Sequence, residues 1–95
     1  MRLRISDPAD RDVEDILAYG RHTYGERQAN SYILGLFDQF RWISEWPLSS
    51  RLQDDTHPPV RLRTYGAHNI IYVVRTDEVM ILRVFYRSAN WKKLL

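Results

Sequence analysis

The chain has 95 residues, no cysteine, 44% hydrophobic and 13% aromatic content, and a formal net charge of +2. That is enough for one two-layer core but not a second; it excludes disulfides, thiolate metal sites and cysteine nucleophiles, and suits a reducing cytoplasm. No stretch approaches the roughly 18 to 20 apolar residues of a membrane span, and the amino terminus runs straight into a strand-like segment, so a soluble, unprocessed protein is expected.

Arg2-Leu-Arg-Ile-Ser6 alternates and predicts a first strand over 2–6, with Leu3 and Ile5 on one face. Asp7-Pro8 then predicts a helix start: Asp7 as N-cap, proline in the first turn where its missing N–H costs nothing, and Asp10 just inside. Ala9, Val13, Ile16, Leu17, Gly20 and Tyr24 keep helical spacing on one side, while Asp10, Arg11, Asp12, Glu14 and Asp15 fill the other. The first helix is expected over 8–24. After Gly25 a second stripe, Ala29, Tyr32, Ile33, Leu36, Phe37, Phe40 and Ile43, predicts a helix over 26–46 that Pro47 ends. So short a joint makes the two an antiparallel hairpin. Trp42 and Trp46 lie off the stripe, four apart, and are expected to stack along one flank under the following loop.

Leu48 to Pro59 is polar and punctuated and reads as a connection. Three strands follow. Residues 60–65 alternate apolar and cationic, 68–75 are apolar on both parities, and 79–87 nearly so. The middle segment is therefore expected at the centre of an antiparallel sheet, covered on both faces, with tight connections at Gly66-Ala67 and Thr76-Asp77. Residues 88–95 form a short basic tail, with Trp91, Leu94 and Leu95 spaced for a helical turn.

Charge is unevenly placed. Residues 1–47 carry six Arg against eight acids, whereas residues 48–95 carry six Arg and two Lys against four acids. Arg61, Arg63, Arg75, Arg83 and Arg87 give the sheet an expected cationic open face, and guanidinium suits bidentate pairing with carboxylate or phosphate. An acidic protein ligand fits this surface better than RNA, although Arg61, Arg63, Tyr65, Tyr72, Arg83 and Tyr86 also mix the groups that stack on bases. The histidines lack the spacing of a metal site, and Asp54-Asp55, which could recruit Mg²⁺, reads rather as a solvated turn, so no metal or cofactor is expected. His68, beside Gly66, is a candidate proton-transfer group or a residue that bonds the turn.

The fold class is thus α+β: two layers in the order β-α-α-β-β-β, with a helical hairpin on one face of a mainly antiparallel sheet. Element order, Glu45-Trp-Pro47, Val60-Arg61, Gly66-Ala-His68-Asn-Ile-Ile-Tyr72 and Leu82-Arg83-Val84 before a basic tail resemble the ParE branch of the RelE/ParE toxin superfamily, nearly end to end. The resemblance implies a single toxin domain over 1–95. It also implies a cytoplasmic toxin of a type II toxin–antitoxin module that inhibits DNA gyrase without catalysis of its own and forms a hetero-oligomer with a ParD-like antitoxin. The antitoxin's carboxy-terminal segment would lay a helix against the hairpin and pass across the sheet. Partner contacts are expected from Arg61, Arg63, Arg83, Arg87, Trp91, Leu94 and Leu95.

The RelE branch offers an alternative, a ribosome-dependent mRNA endoribonuclease, in which Arg61, Arg63 and Arg87 would hold phosphate and Tyr86 or His68 would move the proton. Asn69 stands where RNA-cleaving relatives place an arginine, so that set is incomplete. Tyr86 stands where a histidine is common in ParE, and Ser88-Ala-Asn90 replaces an Arg-x-Asp-like run. A third possibility is a binding-only member of the fold.

Overall fold

The computed structural model describes all of residues 1–95. In chain order it consists of β1 (Arg2–Ile5), α1 (Asp7–Tyr24), α2 (Glu26–Glu45), β2 (Leu52–Gln53), β3 (Val60–Tyr65), β4 (His68–Val74), β5 (Glu78–Tyr86) and a last turn α3 (Trp91–Leu94). The sheet is mixed and five-stranded, in the order β1-β5-β4-β3-β2. The three strands read from the sequence form its antiparallel centre. Arg63 stands opposite Ile70 and Ile70 opposite Val84. β1 adds to β5 in parallel, with Ile5 opposite Ile81, because the hairpin of helices carries the chain back over the sheet between them.

Four local expectations are corrected. The N-cap of α1 is Ser6, not Asp7: Ser6 Oγ accepts the Ala9 amide at 3.1 Å and donates to the Leu82 carbonyl at 2.7 Å. One hydroxyl thus caps the helix and ties its start to β5. The stretch 48–59 contains a short strand, β2, whose Leu52 lies opposite Arg61. Trp42 and Trp46 do not stack; Trp42 packs against the core, while Trp46 is 60% exposed. Phe37, read as part of the buried stripe, is exposed, although its ring meets Phe40 edge-on at 5.9 Å.

The hairpin covers one face of the sheet. Ala9 and Val13 of α1 and Ile33, Leu36, Phe40 and Ile43 of α2 meet Ile70, Tyr72, Val79, Ile81 and Val84 in one apolar cluster. Each fully buried side chain of this size stabilises the fold by about 1.5–3 kcal/mol. Tyr72 is among them, fully buried, with its hydroxyl donating to the Pro47 carbonyl at 3.1 Å. The opposite face holds a smaller cluster of Val60, Ile71, Val73 and Phe85, flanked by Leu62, Met80, Leu82 and Trp91. The carboxy-terminal turn lies on this face through Trp91 and is tied to the 48–59 connection by an ion pair between Lys92 and Asp55, which holds the Asp55 carboxyl below its usual range. β4 is therefore apolar on both parities because both faces are covered.

Candidate partner-binding surface

The expected cationic open face does not form. Alternation put Arg61 and Arg63 on one side of β3 and Val60 and Leu62 on the other. It is the arginines that share the face of the helices, because Val60 and Leu62 complete the second cluster. Arg61 reaches over the strand end and donates to the carbonyls of Ser50 at 2.6 Å and Leu48 at 3.4 Å. Arg63 lies along α2, with Nε donating to Gln39 Oε1 at 2.6 Å and the guanidinium 3.6 Å from the centre of the Trp42 ring. A delocalised cation over indole is favourable and needs no water. Both side chains hold parts of the fold together.

Arg83 is also engaged, at the other edge of the sheet. Its Nε and Nη2 donate to the two carboxylate oxygens of Asp12 at 2.8 and 2.9 Å, and its guanidinium sits 4.4 Å from the Phe85 ring centre. The bidentate bond to Asp12 raises the arginine's pKa further. Asp12 does more. β1 pairs with β5 only as far as Ile81, so the rest of the β5 edge has no neighbouring strand, and Asp12 Oδ2 accepts the Val84 amide there at 2.9 Å. The sequence reading placed Asp12 on the solvent face of α1. The signal that could have found it is the length mismatch between a nine-residue β5 and a four-residue β1, which leaves an edge in need of acceptors.

At the turn end of the sheet, Tyr65, His68 and Tyr86 stand opposite one another on β3, β4 and β5. His68 is buried, and its Nδ1 lies 2.7 Å from the Tyr32 hydroxyl. That hydroxyl also accepts the Ala67 amide at 3.1 Å and stands 3.1 Å from the Tyr65 carbonyl, while the Tyr65 hydroxyl donates to the Tyr32 carbonyl at 2.9 Å. The single Tyr32 proton goes either to Tyr65 O or to His68 Nδ1. Either choice leaves His68 Nε2 buried without a partner. Burial lowers the His68 pKa, so the ring is neutral at pH 7. Burial likewise raises the pKa of Tyr32 and of Tyr65, the latter helped by the Asp38 charge.

Tyr32 is the hub of this arrangement. The sequence reading placed it in the core stripe of α2, and periodicity carries no sign of its polar role. Two glycines make room for the pair Tyr32 and Tyr65. A Cβ on Gly35 would collide with the Tyr65 hydroxyl, and Gly66 takes φ of +54° in the β3–β4 turn, close under the Tyr32 hydroxyl.

Tyr86 is 47% exposed and lies over His68, ring centres 4.7 Å apart. With Tyr19, Tyr24, Tyr32 and Ile16 it lines an apolar cleft of about 300 Å³ between the hairpin and the end of the sheet. A second groove of about 420 Å³ continues past Tyr86 between α1 and β5 to Leu94. Leu94 is exposed at the end of the second groove, Arg87 and Leu95 are exposed, and Trp91 is half-buried. Of the residues expected to touch a partner, Arg61, Arg63 and Arg83 make contacts within the fold, whereas Arg87, Leu94 and Leu95 are free. No group of three or more metal-ligating side chains comes together, and no helix is long and apolar enough to cross a membrane.

Comparison with known proteins agrees with this architecture. The family described as "ParE toxin of type II toxin-antitoxin system, parDE" matches residues 3–91. Toxin ParE1 of Caulobacter vibrioides is 30% identical over 87 residues, covering 92% of this chain and 90% of that protein. A solved structure titled "Chromosomal ParDE TA system from P. aeruginosa" superposes with a TM-score of 0.79 at 19% identity, over 90% of this chain and 95% of the other.

Proposed function

Because the chain belongs to the ParE toxin family of type II toxin–antitoxin systems, with an antitoxin as its natural partner, we propose that it acts in the cytoplasm by binding DNA gyrase and has no catalysis of its own. The observation that carries this reading is the dispersal of the cations. Cleavage of RNA through its 2′-hydroxyl needs a base, an acid and cationic groups converging on one phosphate. Arg61 and Arg63 are bound along α2 and its following loop, and Arg83 is bound to Asp12 at the far edge of the sheet. Arg87 lies past the end of β5, in the exposed turn after Tyr86. His68, the candidate base, is buried beneath Tyr86. What is left for function is a docking surface: the aromatic cleft, Tyr86, Arg87 and the exposed tail leucines.

The same surface supports the antitoxin reading. A mobile peptide that orders on binding gains most from rigid aromatic side chains at the rim of an apolar cleft. Tyr19, Tyr24 and Tyr86 are half-exposed there, fixed on elements that already pack.

Induction in bacteria, read for both DNA breakage and message integrity, tests the proposal. Double-strand breaks that depend on gyrase, with intact messages, are the expected result. Rapid message cleavage with intact DNA overturns it. If the toxin were a nuclease, Tyr86→Phe combined with Arg87→Ala would abolish that cleavage.

A further inference from the structure

One buried side-chain polar atom has no hydrogen-bond partner in the fold, His68 Nε2. The tyrosines beside it decide whether it is a donor or an acceptor. The Tyr32 hydroxyl accepts the Ala67 amide and stands 3.1 Å from the Tyr65 carbonyl and 2.7 Å from His68 Nδ1. If it gave its proton to Nδ1, its oxygen would face the Tyr65 carbonyl with no hydrogen between them. If it gives the proton to that carbonyl, Nδ1–H donates to the hydroxyl, which then accepts two bonds and donates one. Only this second arrangement turns every close approach into a bond, and it puts the His68 proton on Nδ1. Nε2 is then a bare lone pair in a side chain only 5% exposed, an acceptor that lacks a donor.

His68 lines both the aromatic cleft and the second groove, and Ile16, Tyr19 and Tyr86 line both with it. The imidazole therefore sits where the two openings meet. Its Nδ1 edge is engaged by Tyr32, and the Tyr86 ring lies over it, centres 4.7 Å apart. Tyr86 is the last residue of β5 and half-exposed, so its ring is the cover that a donor must pass to reach Nε2. Tyr24, Tyr32, Ala29 and Ala67 complete the wall of the cleft. Aromatic and apolar faces around a single hydrogen-bonding atom are the usual make-up of a small-molecule site, and a volume of about 300 Å³ suits a small ligand.

Charge and reach narrow the occupant. No Asp, Glu, Lys or Arg lines the cleft, and the burial that holds the imidazole neutral also disfavours a charged ligand beside it. The acceptor is recessed beneath a side chain, where the amides of a peptide are held off by their own side chains but an N–H or O–H on the rim of a flat ring can enter. We propose that the cleft binds a neutral, flat aromatic molecule of one or two rings carrying one N–H or O–H donor. The donor bonds His68 Nε2, and the ring lies among Tyr19, Tyr24 and Tyr86. Satisfying the one unmet acceptor is what separates this class of ligand from a plain hydrocarbon. The site requires neither antitoxin nor gyrase, and gives a small-molecule occupant to a cleft assigned above to proteins.

The test uses the full-length ¹⁵N-labelled chain, with indole as the probe and benzothiophene as a molecule of the same shape without a donor. Before any probe is added, ring-nitrogen spectra should show His68 protonated at Nδ1 and bare at Nε2; the reverse tautomer overturns the proposal. Indole should bind saturably with a Kd below about 1 mM, moving the Nε2 signal and the Tyr19 and Tyr86 amides. Benzothiophene should bind at least about tenfold more weakly, because it buries the acceptor and leaves it unpaired. Benzothiophene binding as tightly as indole would make the cleft an apolar surface only and overturn the proposal. Failure of both probes to bind would leave the cleft to the side chains of a protein partner, and overturns it as well. His68→Phe keeps a flat ring under Tyr86 but removes the acceptor, so it should bring the two probes within about twofold of each other. A preference for indole that survives this substitution places the bond elsewhere and overturns the assignment.

Discussion

The two edges of the sheet anchor arginine in different ways. Beside β3, Arg61 and Arg63 extend over a region the helices cover only partly, and their stems and guanidinium groups fill it by binding loop carbonyls, Gln39 and the Trp42 face. At the β5 edge, Arg83 is held against Asp12, so that the carboxylate can also accept the Val84 amide. Arg87, just past the end of β5, has no such anchor and is exposed. A count of cations on a sheet therefore says little about its ligand; what each guanidinium touches decides whether it serves the fold or a partner.

Breaking the β5 edge should have the largest effect. Asp12→Ala leaves the Arg83 guanidinium and the Val84 amide without an acceptor in a partly buried place, and should cost about 2–4 kcal/mol of stability in urea unfolding. Asp12→Asn keeps an acceptor for the amide and should lose about half as much. A loss below about 0.5 kcal/mol for Asp12→Ala would mean that solvent serves that edge as well as the carboxylate does.

Reversing the exposed charge at Arg87 should move binding and leave folding alone. Arg87→Glu is expected to weaken the antitoxin complex by about tenfold, or about 1.4 kcal/mol, with an unchanged unfolding midpoint. Arg63→Lys should do the converse. A lysine can neither stack flat on Trp42 nor keep the directed bond to Gln39, so about 0.5–1 kcal/mol of stability should be lost while titration calorimetry shows antitoxin affinity within twofold. A binding defect in Arg63→Lys that exceeds the one in Arg87→Glu would reverse the roles assigned to the two edges.

These assignments mark how far the sequence could be read. The hairpin and the three central strands were legible because each has a clean period, 3.6 in Ala29 to Ile43 and 2 in Val60 to Tyr65, and because β4 is apolar on both parities. β2 was not, since two residues have no period, and only the register of Leu52 against Arg61 makes them a strand. Alternation in β3 separated arginines from aliphatics correctly but could not say which set the helices would face. That depends on Ile71, Val73 and Phe85 forming a second cluster that claims Val60 and Leu62. Asp12 and Tyr32 were missed for the same reason. Their partners lie 72 and 36 residues away in the chain, at Val84 and His68, and no local pattern records such contacts.

The smallest effect concerns His68, and it joins the edges through the row Tyr65, His68, Tyr86. Burial lowers its folded pKa beneath the ordinary value of 6.5. Tyrosines surround it, Tyr32 from α2, Tyr65 from β3 and Tyr86 from β5, and burial among them disfavours the imidazolium. The unfolded chain therefore binds a proton at a pH where the folded chain does not, and stability rises with pH across that interval. The contribution of a neutral His68 is complete above about pH 6.5 and is lost on acidification from there down to the folded value, with a slope of at most about 1.4 kcal/mol per pH unit. His68→Gln should flatten the segment of the stability profile that lies just below about pH 6.5. It should also speed exchange of the Ala67 amide, whose acceptor, the Tyr32 hydroxyl, is positioned by the imidazole. An unchanged profile would place the proton uptake elsewhere and reduce His68 to a packing residue under Tyr86.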